Sequence, residues 1–240
     1  MQMSMKKHDR ILVISDLHFP YSHPEAIDFL SKLKSTYKPT YIVNIGDEVD
    51  MHSINVSHLV DPDLPSPHDE LEIARSWIKR LEKLFPEMVI LESNHGSMVM
   101  RRALASKMSR RFIKSYNDIL DVNDKWIWKD KHSIDYKGKR ILFAHQFSKD
   151  ISKAVREYAN CCVMGHFHTQ ADIKYVGNDY HLNWGMSVGC LINKDSLAMA
   201  YMKVNLAKPI LSCGLITEGY PQITPMVLNK NGSWDKNIYI

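Results

Sequence analysis

The chain has 240 residues, 45% of them hydrophobic and 24% charged, a composition that supports a folded core and excludes intrinsic disorder. A net charge of +4 is compatible with an anionic partner without requiring one. No apolar run is long enough to span a bilayer, and the apolar stretch at residues 11–14 is too short for a signal-peptide core, so a cytoplasmic location without membrane contact is expected.

Strand and helix patterns alternate through the first two-thirds. Residues 11–14 form an apolar run ending at Ser15-Asp16, the pattern of a strand buried on both faces. Residues 23–37 carry Ala26, Ile27, Leu30 and Leu33 at helical spacing, and Pro39 stops them. A second buried strand over 41–45 runs into Gly46-Asp47. The Pro-rich loop 61–67 ends with Ser66 as a helix N-cap and Pro67 at the first helical position. The helix after it turns Leu71, Ala74, Trp77, Ile78, Leu81 and Leu84 toward the sheet. Residues 88–91 form a third strand ending at Ser93-Asn94-His95, and 98–116 are predicted helical. A strand over 140–144 ends at His145, a short helix covers 151–158, and a strand over 161–164 ends at Gly165-His166. Beyond His168 short strands are predicted over 171–176, 180–182, 197–204 and 210–216. This order predicts an α/β fold, a four-layer α/β/β/α sandwich of two mixed sheets flanked by helices, forming one domain over residues 1–240.

Cysteine usage agrees with a reducing compartment. Cys161 and Cys162 are adjacent in an apolar run, Cys190 and Cys213 stand alone, and no C-x-x-C pair exists. All four read as small core residues.

The informative pattern is positional. Five strand ends carry metal-ligand types: Asp16 and His18, Asp47, Asn94 with His95, His145, and His166 with His168. In α/β sheets, ligands gather beyond the carboxyl ends of the strands. Oxygen and imidazole donors suit borderline divalent cations, and seven of them exceed what one ion needs. They suit two ions about 3.5–4 Å apart sharing a bridging carboxylate.

Asp16-Leu17-His18, Gly46-Asp47, Asn94-His95, His145 and Gly165-His166-Phe167-His168 resemble, in order, the five motifs of the calcineurin-like metallophosphoesterase superfamily: D-x-H, G-D, G-N-H-D/E, H and G-H-x-H. The match spans residues 16–168. The resemblance implies that Asp16, His18 and His168 hold one ion, that Asn94, His145 and His166 hold the other, and that Asp47 bridges them. His95 is then the general acid or transition-state stabiliser at the leaving group. The implied cofactors are two divalent metal ions, Mn²⁺ first, with Fe²⁺, Zn²⁺ or Ni²⁺ as alternatives. Two such ions polarise phosphoryl oxygens and bring the pKa of a shared water toward about 7, which supplies a hydroxide for in-line attack.

Two positions depart from the pattern: Ser93 stands for the family glycine and Gly96 for the acidic residue after His95. Gly96 removes a carboxylate that orients the histidine; another carboxylate can substitute for it, and if His95 lacks any orienting partner, Gly96→Asp is expected to raise the rate. Gly46-Asp47-Glu48-Val49-Asp50 follows the G-D-x-V-D-R-G stretch of Ser/Thr phosphatases until Met51 and His52 replace Arg-Gly. Purple acid phosphatases carry a tyrosine where Asp50 stands. What remains is similar to the bacterial and phage phosphodiesterase and DNA-repair-exonuclease branches.

Arg101, Arg102, Lys107, Arg110, Arg111 and Lys114 follow His95 with no acidic residue among them, and they read either as a solvated face or as a track for a phosphate backbone. His52 and His58, on the loop after Asp47, and Arg101 and Arg102 are the substrate-binding candidates. His132 and His181 read as ordinary strand residues, His8 and His23 as solvent-facing, and Trp126 and Trp128 as core or rim. The expected activity is hydrolysis of a phosphodiester, with a phosphoester substrate that includes DNA, RNA or a nucleotide derivative. The rival readings are a phosphomonoesterase and a catalytically weak metal-binding scaffold that recognises nucleic acid or a partner protein.

Overall fold

A computed structural model of the chain describes residues 3–4, 9–55, 63–196 and 207–239. His8, His58 and the strand expected over 197–204 lie outside the described residues.

In chain order the strands are β1 (Met3–Ser4), β2 (Arg10–Ile14), β3 (Tyr41–Asn44), β4 (Met88–Leu91), β5 (Trp126–Lys129), β6 (His132–Tyr136), β7 (Lys139–Phe143), β8 (Cys161–Met164), β9 (Ala171–Gly177), β10 (Leu182–Val188), β11 (Ser212–Thr217) and β12 (Tyr220–Pro225). The α-helices are α1 (Ala26–Tyr37), α2 (Pro67–Leu84), α3 (Met98–Ala105), α4 (Tyr116–Leu120) and α5 (Ile151–Tyr158). The strands make two mixed six-stranded sheets, ordered β12-β11-β2-β3-β4-β5 and β1-β6-β7-β8-β10-β9. In the first, β2 to β5 run parallel and β11 lies antiparallel to β2.

Side-chain alternation along the strands builds the layers. On β2, Ile11 and Val13 enter a core between the sheets, together with Val43, Val89, Phe143, Val163 and Met186. Leu12 and Ile14 point the other way, into a core with Leu30, Leu33, Ile78 and Leu81 of α1 and α2. On the far side, α5 packs Ile151, Ala154 and Val155 on Cys162 and Met164 of β8. The result is the expected α/β/β/α sandwich. The four cysteines are buried and free.

Local chemistry explains the boundaries. The Ser66 side chain accepts from Asp69 N–H at 3.3 Å and Pro67 opens α2, as the sequence predicts. The helix predicted over 98–116 is instead three pieces: α3, a 3₁₀ turn at Arg110–Phe112, and α4. Lys107 takes a left-handed φ of 57°, and Ser109 and Ser115 each cap a new start, so three local signals override the helical pattern. α1 begins at Ala26, and His23 ahead of it turns inward. Its Nε2 donates to Gly232 O at 3.0 Å and its Nδ1 accepts from Glu25 N–H at 3.2 Å, so His23 is buried and not solvent-facing. His132 lies on β6 against the Tyr41 hydroxyl at 3.1 Å, whereas His181 sits in the turn before β10. Among the described residues no helix is long and apolar enough to cross a membrane.

Candidate metal centre

The parallel strands of the first sheet and β7 and β8 of the second deliver their carboxyl ends to one place. There the loops bind each other before any side chain is considered. Asp16 N–H donates to Gly46 O at 3.1 Å and His18 N–H to Asp47 O at 2.8 Å. Gly46 has φ 104°, and a Cβ on it would lie 2.6 Å from Ser93 Cβ and 2.7 Å from Leu91 O. A Cβ on Gly165 would lie 1.9 Å from Ser15 Oγ and 2.4 Å from Asp16 Oδ2. Its absence lets His166 N–H donate to that carboxylate oxygen at 2.9 Å. The two motif glycines are therefore needed for close approach. Ser93, the departure from the family glycine, is a strut: its Oγ accepts from Asp47 N–H at 2.9 Å and Gly96 N–H at 3.1 Å.

The seven expected ligands converge as two groups. In the first, His168 Nε2 lies 3.1 Å from both Asp16 Oδ1 and His18 Nε2, and His18 Nε2 lies 3.8 Å from Asp16 Oδ1. In the second, His145 Nε2 lies 2.7 Å from Asn94 Oδ1 and 3.1 Å from His166 Nδ1, and the last two are 3.1 Å apart. Asp47 Oδ2 stands between them, 3.6 Å from His18 Nε2 and 3.3 Å from His145 Nε2. Asp16, His18 and Asp47 are almost fully buried.

The outer ring atoms identify what the inner ones present. His18 Nδ1 meets Asp50 Oδ2 at 2.7 Å and His145 Nδ1 meets Ile45 O at 3.0 Å. Both partners accept only, so both Nδ1 atoms donate and the inward Nε2 atoms are the free ends. Without a cation this crowd needs protons. Burial disfavours a charged His145, but the Asp47 carboxylate outweighs it and raises the ring to about 9. Burial likewise works against the charges of His18 and Asp16, yet their mutual contacts, with those from Asp50 and His168, raise His18 and lower Asp16 well past their usual values. His166 moves the other way, lowered by burial and by neighbouring His145. Donors about 2.0–2.2 Å from a shared cation stand about 2.8–3.6 Å from one another, and the contacts here, from 2.7 to 3.8 Å, lie close to that range. The donor set therefore fits two divalent cations, one per group. Asp16–His18–His168 and Asp47–His145–His166 also emerge as clusters able to hold an ion on side-chain geometry alone.

Around this centre the other candidates take different places. His95 N–H donates to Asp47 Oδ1 at 3.0 Å, and its Nδ1 donates to the Asp50 carbonyl. Its ring meets that of His18 edge-on at 4.6 Å. Asp50 thus supports His18 through its carboxylate and His95 through its main chain; it belongs to the quoted Gly46–Asp50 stretch, but no pattern in the sequence gave it this role. His52 is buried, with Nδ1 3.6 Å from Asp50 Oδ1 and main-chain N–H donating to Glu70 Oε1 at 2.7 Å. Arg101 donates to Asn94 O, while Arg102 donates to Ile54 O at 2.7 Å and Asn55 O at 3.0 Å. Both guanidinium groups thus hold loop carbonyls.

No family model matches the chain, and no curated protein does. Solved structures do. An archaeal phosphodiesterase superimposes with a TM-score of 0.51 at 13% identity, over 89% of this chain and 98% of the other. Vps29 from Chaetomium thermophilum gives 0.49 at 12% identity, over 96% and 93%. The E. coli phosphoesterase YfcE gives 0.47 at 12% identity, over 94% and 96%. At these identities the likeness is one of fold. That fold is the calcineurin-like metallophosphoesterase fold, and the chain carries buried Asp/His clusters suited to metal where its strands end.

Proposed function

We propose that the chain is a two-metal phosphodiesterase acting on nucleic acid or a nucleotide-derived diester. One observation carries the reading: a single oxygen, Asp47 Oδ2, lies between two donor groups, 3.6 Å from one imidazole and 3.3 Å from the other. Asp16, His18 and His168 would hold one cation, Asn94, His145 and His166 the second, and Asp47 both. Two cations there would supply charge for the phosphoryl oxygens and a nucleophile from water at neutral pH. Asp50 fixes the His18 ring so that Nε2 faces inward, and Ile45 O does the same for His145. His95, with Nδ1 committed to Asp50 O, has Nε2 left to deliver a proton to a departing alkoxide.

The test is Mn²⁺-dependent release of p-nitrophenol from a bis ester against the mono ester. Turnover of the bis ester, abolished by EDTA and by Asp47→Asn, is expected. Asp47→Asn should also weaken binding of both ions, and a variant with two full sites and normal rate would remove the bridging role. A strong preference for the mono ester would move the assignment to a phosphomonoesterase. Since Arg101 and Arg102 are spent on loop carbonyls, a short nucleotide diester suits the site better than a long polynucleotide track.

A further inference from the structure

Glu48 is a residue that this two-metal reading leaves unused. It is fully buried, and neither carboxyl oxygen has a hydrogen-bond partner among the described residues. Native proteins seldom leave such a group unsatisfied without a ligand or water to complete it. Glu48 forms the floor of a cavity of about 420 Å³ beneath the Gly96-Ser97 turn, a volume in the range of small-molecule pockets. Gly96 lies against that floor: a Cβ there would stand 3.8 Å from Glu48 Oε1.

A second orphan lines the same cavity. The Tyr116 hydroxyl is buried without a partner among the described residues, and its ring stacks on Trp128 at 5.9 Å and 18°. Leu91, Val99 and Ile113 make apolar walls, and Arg110 and Lys114 bring positive charge to the exposed side, where Glu92 also stands. Apolar walls that include the Trp128 and Tyr116 rings, an acceptor with two oxygens, one hydroxyl donor and a cationic mouth describe a specific kind of guest. It is aromatic, presents two adjacent N–H donors beside an acceptor, and carries an anion. A guanine edge has those groups in that order, with N2–H and N1–H facing a carboxylate and O6 facing a hydroxyl.

We propose that this cavity is a guanine pocket for the nucleotide substrate of the neighbouring centre, with Glu48 accepting from N1–H and N2–H and Tyr116 donating to O6. The assignment of the guest as substrate rests on the phosphodiesterase reading. Arg110 and Lys114, at the mouth, would attract the negative charge of the nucleotide. Since Glu48 is closed off from water, a guest reaches its carboxylate only with movement of the residues around it.

Calorimetric titration of the full metal-loaded chain tests the pocket with guanosine, inosine, adenosine and guanosine 5′-monophosphate. Guanosine should bind in a single saturable step. Inosine, which lacks the 2-amino group, should bind about tenfold more weakly, as the loss of one hydrogen bond to a charged acceptor predicts. Glu48→Gln, nearly the same shape, should erase the guanosine-over-inosine preference, and Tyr116→Phe should weaken guanosine while retaining it. The monophosphate should bind more tightly than guanosine, a gap that Arg110→Ala with Lys114→Ala closes. No guanosine binding at millimolar concentration, or an unchanged preference in Glu48→Gln, overturns the pocket. Hydrolysis of the bis ester, which carries no base, reads the metal chemistry separately. Turnover without guanosine binding removes the pocket alone, and guanosine binding without turnover keeps the pocket and removes its role in substrate recognition.

Discussion

His95 has one nitrogen committed and one free, and that asymmetry sets its expected behaviour. With Nδ1 on Asp50 O, His95→Ala should leave metal content intact and lower the rate on alkyl esters by about 10²–10⁴-fold. Activated p-nitrophenyl esters should lose less, and an equal loss on both would argue against proton donation. Gly96 is a different case. Restoring an acidic residue there was expected to raise the rate only if His95 lacked an orienting partner, and the Asp50 main chain supplies one. A Cβ at this position would lie 2.9 Å from Ser93 Oγ, the strut under Asp47, and would bring a new carboxylate toward buried Glu48. Gly96→Asp is therefore expected to destabilise by about 1–3 kcal/mol, as overpacking does, without a gain in rate. Denaturant midpoints and initial rates check both halves; a stable, faster variant would show that Asp50 is not enough.

Among elements, the 3₁₀ turn at His52–Ile54 is held from two helices at once. Glu70 of α2, buried, takes His52 N–H at 2.7 Å and Ser53 N–H at 2.8 Å on its two oxygens. Arg102 of α3 closes the other end on Ile54 O and Asn55 O. The carboxylate satisfies orphan N–H groups at the start of the turn. Glu70→Gln leaves one of those two donors facing an amide N–H₂, so it should cost about 1.5–3 kcal/mol, the scale of a hydrogen bond to a charged group. Arg102→Ala should cost less, since that side chain is exposed. Urea melts of both variants rank them, and the reverse order would place the main support on α3. None of this was legible in the sequence, because Glu70 reads as an ordinary acidic residue of the first helical turn and Arg102 as one of six cations. Both act on main-chain atoms from 17 to 48 residues away, which periodicity does not register.

For the whole molecule, the proton count links metal to stability. His145 has its folded pKa raised from 6.5 to about 9, so the metal-free chain holds a proton that a cation must displace. The raised value contributes stability present below pH 6.5 and lost as pH rises through about 9. Mn²⁺ affinity should rise over the same window, so the melting-temperature gap between Mn²⁺-loaded and EDTA-treated protein should widen from pH 6.5 to 9. A constant gap would show that His145 does not carry that proton. The layers and the strand-end donors could be read from sequence because buried parallel strands are short apolar runs and their ends are fixed by the sheet. In the antiparallel part β9 and β11 were legible, whereas β10, expected only over 180–182, runs to Val188, and β12, not expected, follows a tight turn at Glu218-Gly219, both with mixed side chains that give no clean alternation.

Asp16, His18, Asp47 and His166 all hold left-handed backbone angles, φ 50°, 50°, 51° and 68°. Each such residue gives up about 1–3 kcal/mol relative to a relaxed backbone. Folding by itself therefore disfavours four positions that the proposed chemistry would use, and glycine or asparagine at any of them would make an easier chain to fold. A lineage released from the demand for catalysis would drift down that gradient and lose these residues early, through gains in stability that need no change elsewhere. Under the proposed two-metal reading, substitution of any of these four by glycine would therefore gain stability and lose metal together.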